Sequence, residues 1–191
     1  MPTSKLRSVV NAMAEGGPSR KIAARSSSSR LEVDVLRHAE SWRGAITDAI
    51  LKRAARAGFL IAPPRANGTY EVTIVLADDG EMRELNRAWR GKDASTNVLS
   101  FSADNKLAGP GRLGDVVLAY ETVVGEARDS GIAFSSHVSH LVIHGLLHLL
   151  GFDHISDEEA ERMETLEKAA LATLGIADPC AEEARPAEVS P

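Results

Sequence analysis

Three histidines are the residues of this chain whose type and spacing best suit a chemical site. His144, His148 and His154 lie in the segment His-Gly-Leu-Leu-His-Leu-Leu-Gly-Phe-Asp-His, which holds half of the six histidines. Three imidazoles supply three neutral nitrogen ligands, the number that a catalytic zinc usually takes from its protein while one position stays open. We therefore predict a metal site for one Zn²⁺ ion, with Ni²⁺ or another divalent metal as the alternative.

The spacing explains how these side chains could meet at one ion. His144 and His148 are four residues apart, so on a helix they project from the same face, one turn apart. Gly151 follows the last apolar turn, where a residue that tolerates positive φ commonly ends a helix, and His154 can then return to that face from a loop. The alternative is a set of ordinary histidines in a packed helix, but buried imidazoles need partners, and one ion would satisfy all three.

Two further residues of this segment are candidates for supporting the ligands. At about 1.5 Å rise per residue, His140 lies roughly 12 Å along the helix from His148, too far for both to bind one ion. His140 is a candidate for supporting a ligand or contacting RNA, but a partly buried histidine near the helix start is the favoured interpretation. Asp153 either orients a ligating histidine or stabilises the turn after Gly151, and adjacency in sequence favours the turn.

The motifs around this segment resemble those of a known family. The run from His144 to His154, followed by an acidic helix, is similar to the signature of the YbeY family of metal-dependent endoribonucleases. Residues 85–101 and 113–115 resemble that family's other motifs, with Trp89 where another aromatic residue is commoner. The resemblance implies a single-strand-specific endoribonuclease that matures the 3-prime end of small-subunit rRNA and serves ribosome quality control. It also implies rRNA, and the small ribosomal subunit or its proteins, as partners.

The residues themselves favour a phosphodiester over a peptide as substrate. Zinc peptidases carry His-Glu-x-x-His, in which the glutamate is the general base, whereas this chain has Gly145 at that position. A metal ion can bind a phosphoryl oxygen as a Lewis acid, and either water or the neighbouring ribose hydroxyl could then attack. Two alternatives stay open: a zinc-dependent metallopeptidase-like hydrolase with a base from elsewhere, and a non-catalytic ribosome-assembly factor with a structural zinc.

A basic and polar block before the metal segment supplies the other candidate site residues. Arg90, whose counterpart in the family motif is implicated in activity, is the predicted catalytic residue, since a guanidinium can hold developing negative charge on a phosphate. Arg83 and Arg87 are expected on a solvated helix face, offset by nearby glutamates. Flanking the apolar run from Val98 to Phe101 are three polar residues that either bind substrate or only form turn hydrogen bonds: Thr96, Asn97 and Ser100.

The hydrophobic periodicity indicates an α+β fold. Strands are expected near residues 31–35, 72–76, 98–101 and 115–120, and helices near 42–54, 78–89, 121–128, 135–150 and 156–174. Two helices are expected to begin with capping boxes, formed by Asp78 with Glu81 and by Ser156 with Glu159. The helix that carries His144 and His148 is expected to be capped by Ser135 or Ser136. We predict a single domain with a small mixed β-sheet of about four strands packed with about five helices. The three-histidine site should lie on the central helix and its following loop.

Composition suggests how the chain is divided. Of 191 residues, 43% are hydrophobic, enough for one core of ordinary size. We expect a disordered, basic, serine-rich arm over residues 1–29, the endoribonuclease domain over 30–177, and a loose acidic and proline-rich tail over 178–191. Residues 1–30 carry a net charge of +5 and the remainder −10, so RNA must approach through local basic patches or a partner.

Cysteine usage and hydropathy point to a compartment. Cys180 is the single cysteine, which excludes an internal disulfide, and we expect no disulfide-linked partner. No apolar run approaches the length of a membrane span, and the N-terminal residues lack the apolar core of a secretory signal. We predict a bacterial cytoplasmic protein. A mitochondrial or chloroplast protein is the alternative if the basic arm is a transit peptide.

Overall fold

A computed structural model of the chain describes residues 29–103 and 109–177. The predictions for the basic arm, apart from Ser29, for the acidic tail and for residues 104–108 lie outside the described residues. The strands are β1 (Arg30–Arg37), β2 (Thr69–Ala77), β3 (Val98–Ser102) and β4 (Gly111–Ala119). The α-helices are α1 (Asp48–Ile61), α2 (Asp79–Arg90), α3 (Tyr120–Asp129), α4 (Phe134–Leu149) and α5 (Asp157–Thr173), and a 3₁₀ turn spans Glu40–Trp42.

The four strands form one mixed sheet in the order β1-β2-β4-β3. β1, β2 and β4 are parallel, and the edge strand β3 pairs antiparallel to β4. Side chains alternate along each strand, so Ile74 of β2 contacts the cluster of α1, α4 and α5, whereas Val75 joins the smaller cluster of α2. Both faces of the central strands are thus covered, which explains their nearly continuous apolar sequence. This architecture confirms the predicted α+β class.

Helix α4 is the central element of the larger core. Val142, Ile143, Leu146 and Leu147 are fully buried, and the helix packs against α1, α3, α5 and the sheet. Such all-round burial matches its sequence, which has almost no polar face besides the histidines. Among the described residues, no helix is by itself long and apolar enough to span a membrane; α3 and α4 pass that test only as a pair bent by 118°.

Two of the expected helix starts are wrong. The helix expected from Trp42 begins only at Asp48, because Trp42 lies in the 3₁₀ turn and its Nε1 donates to the Ala77 carbonyl at 2.7 Å. Helix α4 is preceded by Ala133, which forms no side-chain cap, so Ser135 and Ser136 lie inside the first turn instead of capping it. Neither helix start is marked by a side-chain cap, since Thr47 and Ala133 at the two N-cap positions form no such bond.

The two predicted capping boxes have different outcomes. At α5 the box is complete, with Ser156 and Glu159 each bonding the other's backbone N–H. At α2 the Asp78 carboxylate accepts from the Glu81 backbone N–H at 2.8 Å, as expected. The Glu81 carboxylate, however, bonds His38 Nδ1 at 2.8 Å rather than closing the box, because β1 brings this histidine alongside. The predicted Asp78 cap is confirmed, and the prediction that the Glu81 side chain bonds back to the Asp78 backbone is wrong.

Candidate metal centre

Two histidines project from the last turns of α4 toward a surface cleft. Because they are one helical turn apart, His144 and His148 lie side by side, and their Nε2 atoms are 3.1 Å apart. Their side chains keep 26% and 24% of their surface exposed. They are therefore partly buried by the core and still open to an ion or a substrate from one side.

The loop after α4 brings the third histidine to the same place. Gly151 has φ of 90°, a left-handed conformation that ends the helix as predicted, and the Phe152 N–H donates to the Leu147 carbonyl at 3.0 Å. The Asp153 carboxylate accepts from the His154 backbone N–H at 2.9 Å, consistent with the turn role. One ring nitrogen of His154 thereby lies within 4.8 Å of those of the two helical histidines. The structure brings all three candidate ligands together.

Hydrogen bonds at the far side of each helical ring fix which nitrogen faces the cleft. His148 Nδ1 lies 3.1 Å from the Phe152 carbonyl oxygen, which only accepts, so this nitrogen carries the hydrogen. His144 Nδ1 likewise donates to the Glu167 carboxylate at 2.7 Å. In their neutral forms both rings therefore present an unprotonated Nε2 to the other, and two such atoms cannot hydrogen-bond.

Electrostatics keep the site in a form that suits a cation. Burial of the ring, followed by the neighbouring His144 and His154, lowers the pKa of His148 below its usual value, so this imidazole is neutral at neutral pH. Burial would raise the pKa of Glu167, but hydrogen bonds from His140 and His144 lower it to about 2. The neutral imidazole of His148 and the ionised carboxylate bonded to His144 both favour binding of a positive ion.

The separation of the two helical nitrogens fits a shared metal ion. Two zinc–nitrogen bonds of about 2.0–2.1 Å at a tetrahedral angle place the nitrogens about 3.3 Å apart. The observed separation of the His144 and His148 Nε2 atoms is 3.1 Å. The cluster found among the described residues consists of these three histidines, so a fourth position would be open to water or substrate. The three residues are thus suited to hold a metal.

Gly145, between the two helical histidines, faces the sheet at very close range. A Cβ atom placed there would lie 2.7 Å from Val116 Cγ1 and 3.0 Å from Ser100 Oγ. A glutamate or any other side chain at this position would require Val116, Ser100 or the helix itself to shift. The general base of a zinc peptidase is therefore absent for a steric reason, which supports the expectation drawn from the sequence.

The cleft beside the histidines has a volume of about 610 Å³ and also contains Arg90. This arginine is the last residue of α2, is exposed, and has no ion-pair partner in the part of the chain that the structure describes. Arg83 on the same helix is different, because its guanidinium makes two bonds to Asp93 at 2.7 and 2.8 Å. The predicted offset of Arg83 by glutamates is wrong. Asp93 is the partner.

The predicted substrate-binding residues line the same cleft, but two of them are already bonded within the protein. The Asn97 amide donates to the Glu126 carboxylate at 3.0 and 3.1 Å, and its oxygen accepts from the Val98 N–H at 2.7 Å. Ser100 Oγ donates to the Gly145 carbonyl at 3.0 Å. Asn97 and Ser100 therefore shape the wall of the cleft, and Thr96 is the third of the predicted residues that line it.

Glu167 is the site residue that the sequence reasoning missed. It lies on α5 with only 11% of its side chain exposed, and its second oxygen lies 3.1 Å from His140 Nε2. His140 thus bonds this carboxylate and lies edge-on to the His144 ring, with the ring centroids 6.4 Å apart. A signal existed in the sequence: Glu167 falls four residues after Met163 and three before Ala170, on the inward face of the helix. A glutamate at an inward position needs a partner.

Fold and site together define an α+β protein with a three-histidine, metal-binding cleft. A family model described as Endoribonuclease YbeY matches residues 39–175, and the chain belongs to this family. A curated Endoribonuclease YbeY from Parvibaculum lavamentivorans is 46% identical over 177 residues, covering 86% of this chain and 94% of that protein. Another from Paramagnetospirillum magneticum is 49% identical over 150 residues, covering 75% and 92%.

A solved structure shows the same fold at greater distance. A protein from Thermotoga maritima, determined in solution, superimposes with a TM-score of 0.52 at 22% identity. The match covers 83% of this chain and 100% of that one. The arrangement of sheet and helices described here is therefore shared by proteins whose sequences have diverged widely.

Proposed function

We propose that this protein is a single-strand-specific, metal-dependent endoribonuclease that acts in rRNA processing, at the 3-prime end of small-subunit rRNA, and in ribosome quality control. Relatives that carry the name Endoribonuclease YbeY at 46% and 49% identity support the activity. The structural observation that carries the proposal is the convergence of three imidazole nitrogens in the cleft that contains Arg90.

The ion that we propose for this site is Zn²⁺, held by His144, His148 and His154. Three neutral nitrogen ligands with an open position match catalytic zinc, and a zinc ion bound there would supply Lewis-acid polarisation of a phosphoryl oxygen. The protein holds two of these ligands by fixed hydrogen bonds on their Nδ1 atoms. Those bonds keep the ring planes in place when substrate enters.

Arg90 is proposed to bind the scissile phosphate. A guanidinium presents paired N–H donors that match two phosphate oxygens, and Arg90 has no ion-pair partner within residues 29–103 and 109–177 to occupy them. Charge that develops on the phosphate is then stabilised by a group already in position. The Thr96 hydroxyl lies along the same wall and is proposed to contact the ribose-phosphate backbone.

The charge distribution suggests how RNA reaches the cleft. The chain is acidic overall, with a net charge of −5, so the protein as a whole does not attract a polyanion. Arg87, Arg90 and Lys92 form a local basic patch at the end of α2, next to the cleft. We propose that RNA enters from this side, with the small ribosomal subunit as the partner that presents it, in the bacterial cytoplasm.

The proposal is tested by measuring the rate at which the His148→Ala variant cleaves a short single-stranded RNA. We expect the variant to lose at least about 100-fold in cleavage rate, because a ligand of the ion is gone, with an unchanged circular dichroism spectrum. His38→Ala, a histidine that contacts Glu81 away from the cleft, is the matched control and should cleave normally. Zn²⁺ added to chelator-treated wild-type protein should restore activity.

Three outcomes of this experiment contradict the proposal. Undiminished cleavage by metal-free protein would overturn it. Turnover of peptides but not of RNA would indicate a peptidase, and tight zinc without turnover of either would indicate an assembly factor with a structural ion. Product ends distinguish the attacking group, because attack by the neighbouring ribose hydroxyl leaves a cyclic phosphate and attack by water does not.

A further inference from the structure

We infer that Glu167 is a positioning residue of the metal site, which fixes the tautomer and the orientation of the His144 ring and is itself held in place by His140. The inference rests on the metal site proposed above. It assigns a function to a buried carboxylate on a different helix from the ligands. It also gives a role to His140, which lies on α4 too far from the ion position to bind it.

The carboxylate bridges two histidines of α4. Glu167 Oε1 lies 2.7 Å from His144 Nδ1, and Oε2 lies 3.1 Å from His140 Nε2. His140 and His144 are one helical turn apart, so a single carboxylate from α5 reaches both. With each oxygen bonded to a different ring and the side chain 11% exposed, the carboxylate has little freedom to rotate.

The chemistry of the three groups sets the direction of each bond. An ionised carboxylate only accepts, so both rings donate to it. His144 donates from Nδ1, so in the neutral ring Nε2 is the unprotonated atom, and it lies 3.1 Å from His148 Nε2. His140 donates from Nε2, and this nitrogen is used in holding Glu167. The chain of contacts runs from His140 through Glu167 and His144 to the ion position.

The two helical ligands are oriented by different kinds of group. His148 Nδ1 donates to a backbone carbonyl, that of Phe152, which no substitution removes directly. His144 depends on a side chain, which also places a negative charge next to the ligand. Carboxylates in this position increase the basicity of the ligating imidazole, and removing them typically weakens metal binding by about 10- to 100-fold.

Zinc affinity of the full-length protein tests the inference. Competition with a chromogenic chelator is measured for wild type, Glu167→Gln and Glu167→Ala. We expect the alanine variant to bind Zn²⁺ about 10- to 100-fold more weakly and the glutamine variant to fall in between, because glutamine keeps an acceptor oxygen but loses the charge. Glu161→Gln, an exposed residue of the same helix with the same charge change, is the matched control and should bind like wild type.

A second measurement detects positioning independently of affinity. Long-range ¹H–¹⁵N spectra of the metal-free protein report which ring nitrogen of His144 carries the hydrogen. We expect the Nδ1–H form in wild type and a mixture of both tautomers in Glu167→Ala. A residue that only filled space would not change the tautomer. If the alanine variant is poorly folded, the glutamine variant supplies the affinity comparison.

Zinc affinity of the Glu167 variants within about twofold of wild type, together with an unchanged His144 tautomer, would overturn the inference. Neither measurement uses RNA, so a failure of RNA cleavage leaves the assignment of Glu167 intact while removing the proposed activity. Absence of zinc binding by the wild-type protein would remove both the metal site and this role.

Discussion

At the scale of single residues, the same helix carries arginines in two different states. The Arg83 guanidinium donates to both oxygens of Asp93, and the hydrogen bond to this carboxylate raises the pKa of the guanidinium above its usual value. Arg90 lines the cleft and has no such partner among the described residues. An exposed arginine without a partner contributes little to stability, so a strong effect of its removal would have to come from function.

We expect Arg90→Ala to reduce the rate of RNA cleavage by about 100- to 1,000-fold, the usual effect of losing one donor to developing charge. Arg90→Lys should recover only part of the activity, because lysine keeps the charge but not the paired donors. The free energy of unfolding should change by no more than about 0.5 kcal/mol in either variant. Single-turnover cleavage assays and urea titrations measure the two effects.

Arg87→Ala is the matched control, since Arg87 is exposed on the same helix but does not line the cleft. Because Arg87 belongs to the basic patch, its loss should weaken RNA binding, but the variant should retain nearly full activity in single turnover at saturating protein. Equal losses in the Arg87 and Arg90 variants would indicate a general electrostatic effect of the basic patch and contradict a specific role of Arg90.

At the scale of elements, the position of the site depends on how closely α4 approaches β3 and β4. Gly145 permits this approach, because a Cβ atom would lie 2.7 Å from Val116 and 3.0 Å from Ser100. The Ser100 hydroxyl then donates to the Gly145 carbonyl at 3.0 Å, a hydrogen bond that links the edge strand β3 to α4. The helix that carries two of the histidines and the strand that forms the cleft wall are thereby held in one arrangement.

Gly145→Ala should lower the free energy of unfolding by about 1–3 kcal/mol, because the methyl group overpacks the contact between helix and sheet. Gly125→Ala, on helix α3, should instead raise it by up to about 1 kcal/mol, since a Cβ there meets nothing within 4 Å and alanine favours a helix. Urea unfolding of both variants makes the comparison. A stabilising effect at both positions would show that α4 has room to spare and contradict the close-packing argument.

At the scale of the whole molecule, the candidate site connects parts of the chain that the sheet does not. His144 and His148 belong to α4, His154 to the following loop, and Glu167 to α5. An ion bound there would add a link between the central helix and the loop that leads into the last helix. Since a ligand that binds the folded state alone stabilises it by mass action, the metal should contribute to stability as well as to activity.

We expect Zn²⁺ at 100 times its Kd to stabilise the protein by about 2.7 kcal/mol, which corresponds to a rise in Tm of about 5–10 °C for a chain of this size. Calorimetry of chelator-treated protein with and without added Zn²⁺ measures the shift. His148→Ala should show little or no zinc-dependent shift. A Tm that is independent of zinc in the wild-type protein would contradict metal binding by the folded state.

Local spacing in the sequence was sufficient for the local features of the fold and site. The turn at Gly151, the complete capping box of Ser156 and Glu159, and the meeting of His144 and His148 all involve residues within one or two helical turns. Helical periodicity and turn chemistry act over that range, so such features can be deduced without knowing which elements pack together. The absence of a peptidase base was likewise deduced from a local feature, the glycine at position 145.

Contacts between distant segments were decided only by the tertiary structure. The sheet order β1-β2-β4-β3, the 3₁₀ turn at Trp42, the pairing of Arg83 with Asp93 and the bond from Glu167 to His144 could not be deduced from spacing. Hydrophobic pattern shows which face of an element is buried, but not which other element covers it. The sequence by itself therefore determined the three candidate ligands, whereas the packing of α4, α5 and β3 determined what surrounds and orients them.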